Sequence, residues 1–299
     1  MYCAENGKNG KIALYNFSEL KYNALIQIET HRVRKEMKKM KKIIAMILAL
    51  LMIAACFAGC GSKKENSDLA AIQKKGKLVV GITDYAPMDY KDENGNWTGF
   101  DAEFAELFAE ELGVECEFYV IADWSKKFLE LETNQIDVIW NGMTITDEVK
   151  LNTSCTNPYV INAQVVVMKN DALSKYPDGE SMKDLTFAVE NGSAGQDALT
   201  TIDAGNVILV QDQAAALMEV AAGTSDACVI DITMANAMTG EGTSYADLGY
   251  SVSLTSEEYG VGFRKESDLT AKFNAFMDKL KADGTLQALA DKYSLTLAG

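Results

Sequence analysis

Carboxylates in loops that follow predicted strands are the residues of this sequence best suited to chemistry. Asp84, Asp89 and Glu190 are of this kind, and a loop carboxylate could act as a general acid or base. The only histidine is His31, which lies near the N-terminus. If that segment is removed, as argued below, the working protein has no histidine. Ser-His-Asp catalysis, Cys-His catalysis and histidine-ligated metal sites are then excluded.

Aromatic residues accompany the loop acids. A flat ring gives a rigid contact surface, and its face attracts a cation. A carboxylate that faces an ammonium forms a charge-assisted hydrogen bond. The residues that would suit a cationic ligand in this way are Asp84, Asp89, Asp231, Tyr85, Tyr90, Trp97 and Trp124.

The composition limits the classes of function. A length of 299 residues predicts about two domains, and 48% hydrophobic residues can bury a sizeable core. Lys and Arg number 28 against 43 Asp and Glu, which gives a net charge of −15. This sign argues against nucleic acid as a partner, because binding a phosphate backbone needs a basic face.

Residues 1–59 are predicted to be a leader. Within residues 37–59, lysines at 38, 39, 41 and 42 precede a 12-residue apolar run over 43–54. Such a run is too short to span a membrane but is typical of a signal peptide. Ala58 and Gly59 then precede Cys60, and a polar stretch follows. This pattern resembles a bacterial lipoprotein signal, in which the chain is cut before the cysteine and the thiol is lipidated. A short buried core helix is the alternative.

Residues 1–36 do not fit a signal peptide, and we expect that translation starts at Met37 or Met40. Residues 60–75 are predicted to be a lipidated polar tether. Three cysteines remain in the body, Cys116, Cys155 and Cys228. Because each stands in an apolar run, we favour buried free thiols over one disulfide plus a free thiol. Their spacing matches no metal motif, and we expect no cofactor.

The body alternates predicted strands and helices. Strands are predicted at 77–82, 114–121 and 136–140, with helices at about 101–112 and 125–134 between them, and Asp101 is the predicted N-cap of the first helix. After a break, strands at 164–168, 186–190, 207–210 and 227–230 alternate with helices from 194, over 213–222 and from 231. A strand at 258–263 and helices at 268–283 and 286–293 follow. This order predicts an α/β fold with parallel sheets. Ligands of such folds bind beyond the carboxyl ends of the strands, here the loops 83–90, 121–124, 141–146 and 191–195 and residue 231.

Six segments in these regions resemble the solute-binding proteins of ABC importers, in particular the polar amino-acid-binding family. They are LVVGITDYAPMDY (78–90), GNWTGFD (95–101), IDVIWNGMTIT (136–146), NPY (157–159), DACVID (226–231) and GVGFRK (260–265). Together they cover about residues 76–297 in the order and spacing of the family. The resemblance implies a receptor that is tethered to the outer face of the cell membrane by its lipid and acts beside a permease.

The family fold implied is two lobes joined by two crossing hinge strands, which close on the ligand. Lobe I would comprise 76–162 and 258–299, and lobe II 163–257, with the hinge strands near 162–168 and 258–263. A monomer without enzymatic activity is expected. Its partners would be an amino acid, the permease subunits and the membrane.

The resemblance also assigns site residues. Tyr85 and Trp124 match positions that sandwich the ligand side chain, although either could instead pack in the core. Asn141, Gly142 and Thr144 match a loop that holds the α-ammonium and reaches the carboxylate. An ordinary strand-to-helix turn with Thr144 or Thr146 as N-cap is the alternative, and both can hold together. Asp231 matches the carboxylate that pairs with the ammonium, and a plain helix N-cap is its alternative. Ser193 belongs to a loop before a helix, 191–195, that would suit the ligand carboxylate.

One position departs from the family pattern. The family continues its motif as Thr-x-x-Arg, and that arginine holds the ligand carboxylate, but here Val149 follows Thr146. Backbone amides and Lys150 could hold a carboxylate instead. Alternatively, the ligand is a cationic amine that lacks the carboxylate. An enzyme or a sensor on the same fold are further alternatives.

Overall fold

The computed structural model describes residues 67–299, together with residues 37, 39 and 40. The predicted leader, the lipidation site at Cys60 and residues 60–66 of the predicted tether therefore lie outside the described residues, apart from those three helical positions. Residues 67–299 lie within one compact unit. Among the described residues, no helix has both the length and the apolar character needed to cross a membrane.

The strands of this unit are β1 Lys77–Ile82, β2 Tyr90–Lys91, β3 Trp97–Thr98, β4 Glu115–Val120, β5 Val138–Ile139, β6 Ser154–Cys155, β7 Val160–Asn162, β8 Gln164–Lys169, β9 Thr186–Glu190, β10 Asn206–Val210, β11 Ala227–Asp231, β12 Leu248–Ser253, β13 Glu257–Tyr259 and β14 Gly262–Phe263. The α-helices are α1 Asp68–Lys75, α2 Phe100–Leu112, α3 Lys127–Glu132, α4 Asp147–Asn152, α5 Ala194–Ala198, α6 Gln213–Ala222, α7 Ile232–Met238, α8 Leu269–Asp283 and α9 Thr285–Lys292.

Two five-stranded sheets define two lobes. The sheet of the first lobe has the order β4-β1-β5-β14-β6, and that of the second has the order β10-β9-β11-β8-β12. In each sheet four strands run in the same direction and one runs against them, which is β14 in the first sheet and β8 in the second. The sheets are therefore mixed rather than parallel, because β14 and β8 follow the crossing strands and enter their lobes from the opposite direction.

The two lobes are joined by a pair of crossing strands. β7 leaves the first lobe, β13 returns to it, and the two pair antiparallel with Val160 opposite Tyr259. The crossing at residues 160–162 thus comes before the predicted 162–168, which mostly forms β8 inside the second sheet. The predicted strand at 258–263 is two short strands, since β13 and β14 belong to different sheets.

The predicted tether is shorter than expected, because residues 68–75 form helix α1. The Ser67 side chain caps its first turn, and the left-handed Gly76 ends it. Ile72 is buried in the core of the first lobe, and Asp68 pairs with Arg264 at 3.1 Å. Although the segment is polar, its cap and its one buried residue are enough to fix it on the folded body.

The core of the first lobe is an aromatic cluster. Phe104, Phe108, Trp140 and Phe273 are fully buried, and the rings of Trp140 and Phe273 meet edge to face with centroids 4.9 Å apart. This packing fixes β5 and α2, the elements next to the loop at 141–146. All three cysteines of the described chain are free, but only Cys228 is fully buried.

Candidate functional site

A cavity lies between the two lobes, at the carboxyl ends of their parallel strands. Its volume, including the part open to solvent, is about 470 Å³. The first lobe contributes Trp124, Lys127, Asn141, Gly142, Met143, Thr144, Thr146, Glu148 and Val149. The second lobe contributes Glu190, Gly192, Ser193, Ala194, Asp197, Gln213 and Asp231.

Asp231 is held at the cavity wall by three carboxamides. Its side chain is 4% exposed, and its two oxygens accept hydrogen bonds from the side chains of Asn162, Gln164 and Gln213, with 2.7 Å for the bond from Gln164. Gln213 also accepts the Asp231 N–H at 2.9 Å. Asp231 precedes α7, but its side chain makes no capping bond to that helix. Its carboxylate is therefore oriented by side chains rather than used as an N-cap.

A second carboxylate lies behind Asp231. Glu257 accepts hydrogen bonds from Asn162 at 2.7 Å and Gln164 at 2.6 Å, and thus shares two donors with Asp231. Burial, followed by the charge of Glu257, raises the pKa of Asp231 to about 6. Near neutral pH, Asp231 is then mostly ionised. Its three carboxamide donors are neutral and leave its negative charge unbalanced, so it is a good partner for a ligand cation.

The loop at 141–144 is fixed from behind. The Asn141 side chain accepts from the Thr83 N–H at 2.8 Å and donates to the Thr83 hydroxyl at 2.7 Å, which ties β5 to β1. Gly142 has a φ of +55°, and a Cβ there would lie 2.5 Å from the Tyr85 ring. Its N–H donates to Asp101 at 2.6 Å. Only glycine satisfies both this conformation and this close approach.

Asp101 is a supporting residue that sequence reasoning assigned to another role. It was expected to cap α2, but Gly99 occupies the N-cap position and Asp101 lies inside the helix. Its carboxylate accepts from Gly142 and, at 2.8 Å, from the Tyr159 hydroxyl. Burial raises its pKa to about 7, although these hydrogen bonds oppose the rise. Asp101 thus positions the loop without reaching the cavity.

Two further predicted residues line the cavity, and the side chain of each already forms a hydrogen bond within the protein. The Thr144 hydroxyl donates to Glu257 at 2.7 Å. The Ser193 hydroxyl accepts the Gln196 N–H at 3.2 Å and so caps the short helix α5. Trp124 is 6% exposed and also lines the cavity, packed beside Val149 in a small apolar cluster.

Tyr85 lies outside the cavity lining, in contrast to the predicted sandwich with Trp124. It is 1% exposed, and its hydroxyl meets the hydroxyls of Thr233, at 2.6 Å, and Tyr259. Because Thr233 lies in the first turn of the second lobe's α7, this contact links the two lobes directly. The other loop acids and rings, Asp84, Asp89, Tyr90 and Trp97, do not line the cavity either.

The position of the missing arginine is apolar. Val149 is 3% exposed and packs against Trp124. Lys150, which was expected as a substitute, points to solvent with a side chain 59% exposed and does not line the cavity. Arg264 is occupied elsewhere in the first lobe, where it donates to the carbonyl of Ile136 at 2.9 Å and pairs with Asp68.

Sequence reasoning missed Lys127 as a cavity residue. It is 4% exposed, and its ammonium donates to the Gly192 carbonyl of the other lobe at 2.9 Å. The signal was present in the spacing, because Trp124, Lys127 and Leu131 recur at helical intervals on one buried face. A lysine on such a face calls for an explanation, since lysine is rarely buried without a partner.

Glu190 is the other buried ionisable side chain of the cavity. It is 3% exposed, and its Oε1 has no hydrogen-bond partner within the described part of the chain. Burial, with the charges of Asp231 and Asp212, raises its pKa well above the usual range, whereas Lys127 lowers it. Glu148 and Asp197 add further carboxylates, so acids outnumber the single cation of the lining.

Comparison with known proteins places this geometry in a family. The model of the bacterial extracellular solute-binding proteins, family 3, matches residues 78–296. The chain belongs to this family. It is a family of exported proteins, and the relatives found are amino-acid-binding proteins of ABC transporters. The relatives are solute-binding proteins rather than enzymes.

Three relatives illustrate the similarity. The arginine-binding extracellular protein ArtP of Bacillus subtilis (strain 168) is 30% identical over 82% of this chain and 96% of its own length. A mutant of ArgBP from T. maritima is 33% identical with a TM-score of 0.71, covering 76% of this chain and 98% of that one. The ancestral amino-acid-binding protein AncCDT-1, a precursor of cyclohexadienyl dehydratase, is 32% identical with a TM-score of 0.69, covering 76% and 99%. The predicted two-lobed fold with two crossing strands is confirmed by these structures.

Proposed function

We propose that this chain captures an α-amino acid in the cavity between its lobes and delivers it to the permease of an ABC importer. The observation that carries the proposal is Asp231, a buried carboxylate held by three carboxamides at the cavity wall. An α-ammonium placed against it would gain a charge-assisted hydrogen bond in a site shielded from water. Trp124, Asn141, Gly142, Thr144 and Ser193 would complete the contacts.

The proposal includes the place where the protein works. Residues 1–59 would be a leader with a start at Met37 or Met40, and Cys60 would carry a lipid on the outer face of the cell membrane. Membership of an exported family supports this location. The chain would act as a monomer, since one chain supplies both walls of the cavity.

The boundaries of the lobes are also part of the proposal. Lobe I would comprise 76–162 and 258–299, and lobe II 163–257. The two sheets and the β7–β13 crossing support these limits. Helix α1 extends the first lobe at its N-terminal side, because Ile72 packs into that lobe's core.

The charge of the cavity bears on the ligand class. Its lining contains Glu148, Glu190, Asp197 and Asp231 against Lys127 alone. This excess of carboxylates favours a ligand with a net positive charge, and relatives of this chain are named for arginine. A basic amino acid is therefore the ligand we propose first, and a cationic amine without a carboxylate is the second candidate.

A thermal-shift screen tests the proposal. Residues 61–299 would be unfolded, freed of ligand and refolded, then screened against the amino acids, agmatine and putrescine. A ligand at a thousand times its dissociation constant should add about 4 kcal/mol of stability, which corresponds to several degrees in Tm. A shift with α-amino acids supports the proposal. A shift with the amines alone supports the second candidate, and no shift with any compound contradicts both.

The lipid anchor is tested separately. Expressed in a bacterium that processes lipoproteins, the full chain should fractionate with the membrane, and its N-terminal peptide should begin at a modified Cys60. The C60S variant should appear in the soluble fraction. A membrane-bound C60S variant, or a mature peptide covering residues 2–32, would contradict the proposed leader.

A further inference from the structure

Lys127 is a buried ammonium that has no carboxylate partner in the described part of the chain. Its Nζ donates to the carbonyl of Gly192 at 2.9 Å and lies 3.5 Å from the carbonyl of Trp124. No acidic oxygen within residues 67–299 lies in ion-pair range, 4.0 Å, of this nitrogen. Removing an ammonium from water is costly, so a buried one normally meets an anion.

Two aromatic rings and several carboxylates around Lys127 favour its charged form, and the described residues leave one of its N–H groups without a protein acceptor. The rings of Trp124 and Phe128 lie 5.2 and 4.7 Å from Nζ, and ring faces attract cations. Burial lowers the pKa of Lys127, whereas the more distant Glu148, Glu190, Asp197 and Asp123 raise it. An ammonium has three N–H groups, and the two carbonyls account for at most two of them. The third is available to the cavity that Lys127 lines.

No other cation of the described chain lines this cavity. Val149 is apolar, Lys150 points to solvent, and Arg264 is held by Asp68 and two backbone carbonyls. An anionic group of the ligand would therefore meet a positive charge at Lys127 and nowhere else in the lining. Asp231, across the cavity on the second lobe, supplies the opposite charge.

We propose that Lys127 binds the carboxylate of the ligand, while Asp231 binds its α-ammonium. This inference rests on the proposed function. The ammonium of Lys127 bridges to Gly192 on the other lobe, so the same group contacts both the ligand and the facing wall. Binding of the carboxylate is thereby coupled to the approach of the two lobes. A ligand without a carboxylate leaves this buried cation uncompensated and binds more weakly.

The test compares an acid with its amide. Binding of L-arginine and L-arginine amide is measured by titration calorimetry at about pH 6.5, where both α-amines are protonated. The wild-type chain should prefer the acid by roughly 30-fold or more, as expected for a desolvated charge pair. In Lys127→Met, which keeps the length of the side chain, affinity for the acid should fall by about that factor and the preference should vanish.

Two matched variants complete the design. Lys126→Met removes the neighbouring surface lysine, whose side chain is 60% exposed, and should leave both affinities unchanged. Lys127→Arg retains a cation and should retain a preference for the acid. If Lys127→Met is unstable, Lys127→Gln replaces it. The ratio of the affinities for L-arginine and L-arginine amide is then compared between that variant and the wild-type chain.

The outcomes separate this inference from the proposed function. If Lys127→Met lowers the affinities for L-arginine and for L-arginine amide equally, Lys127 only links the two lobes, and the inference is overturned. A wild-type chain that binds L-arginine and its amide equally well also overturns it, while the proposed function stands. If neither L-arginine nor any of the other common amino acids binds the wild-type chain, the proposed function fails and this inference fails with it.

Discussion

At the scale of single residues, Asp231 predicts how binding depends on pH. Its pKa of about 6 lies above the usual value of 3.8 because the group is buried near Glu257. An ammonium binds the ionised form, so affinity for an amino acid should rise as pH increases through about 6 and level off above about 7. Below the pKa, affinity should fall by up to about tenfold per pH unit. Calorimetric titrations between pH 5 and 8 measure this.

The same raised pKa has a consequence for stability, with the opposite sign. Because folded Asp231 holds its proton more tightly than the unfolded chain, its contribution to stability is present at low pH and is lost as pH rises from about 4 to 6.

The Asp231→Asn variant tests the role of this carboxylate in binding. It should remove the pH dependence of ligand affinity between about pH 5 and 8 and weaken binding at every pH. A wild-type affinity that is flat between pH 5 and 7 would contradict this role for Asp231.

Glu190 predicts a change of ligand preference. Its buried Oε1 lacks a partner within the described residues and would pair with a cationic side chain of the ligand. Glu190→Gln should lower the affinity for L-arginine by about tenfold or more and raise the affinity for L-glutamine relative to that for L-arginine. A ligand cation favours the ionised form of Glu190, and the variant keeps the shape of the side chain but cannot ionise. Glu148→Gln is the matched control, since Glu148 lines the same cavity but is exposed, and its effect should be several-fold smaller. Equal effects of the two variants would argue against Glu190 as a specificity residue.

At the scale of elements, the turn after β9 limits how closely the lobes can approach. Gly192 has a φ of +74°, and a Cβ there would lie 2.7 Å from the backbone Cα of Ser125 in the other lobe. Gly192→Ala should therefore hold the lobes apart and add a conformational cost of about 1 kcal/mol. We expect affinity for the ligand to fall at least tenfold while Tm of the unliganded chain falls by only a few degrees.

Gly223 provides the control for that substitution. It ends α6 with a φ of +78°, and a Cβ there would meet only the end of the Lys169 side chain, at 3.9 Å. Gly223→Ala carries the same backbone strain without the contact between lobes, so its affinity should stay near that of the wild type. If both variants bind the ligand equally, the closeness of Gly192 to Ser125 does not limit closure.

Elements with local signals were predicted closely, and those defined by distant partners were not. The predicted bounds of β9 and α6 match the structure, because α6 has a capping Asp212 and a left-handed Gly223 at its ends. β5 is two residues instead of the predicted five, since its length is set by the strands it pairs with. β12 was missed because small polar residues and a register shift after Tyr250 hide its alternation.

The residues of the candidate site show the same difference between local signals and partners that are distant along the chain. Strand-end positions such as Asn141, Ser193 and Asp231 line the cavity because the fold brings the strand ends together. Tyr85 lies behind the lining because its hydroxyl contacts Thr233, a residue 148 positions away that no local pattern relates to it. Lys127 was not singled out within the predicted helix at 125–134, since its burial depends on Gly192 in the other lobe.

At the scale of the whole molecule, Tyr85 predicts a link between closure and affinity. The hydroxyls of Tyr85, Thr233 and Tyr259 form a buried cluster across the lobes. Tyr85→Phe keeps the ring and removes one hydroxyl, which should weaken the closed form by about 1 kcal/mol and lower affinity about fivefold for every ligand alike. Small-angle scattering should show a smaller contraction on adding ligand at a fixed concentration.

A double-mutant cycle distinguishes this role from direct ligand contact. Because Tyr85 and Thr233 share one hydrogen bond, the effect of Tyr85→Phe with Thr233→Val should be smaller than the sum of the two single effects. Additive effects, or a loss confined to one ligand, would instead support the predicted sandwich of the ligand side chain by Tyr85.

The place of β14 in the first sheet governs the order in which the molecule can be assembled. This strand lies between β5 and β6, although more than a hundred residues separate it from either along the chain. Because a chain is synthesised from its N-terminus, the strands β8 to β12 are all available before β14 appears. The second lobe can thus form its sheet while the first still lacks the strand between β5 and β6. The first sheet becomes continuous only when the C-terminal segment is present, so its completion is the later step of assembly.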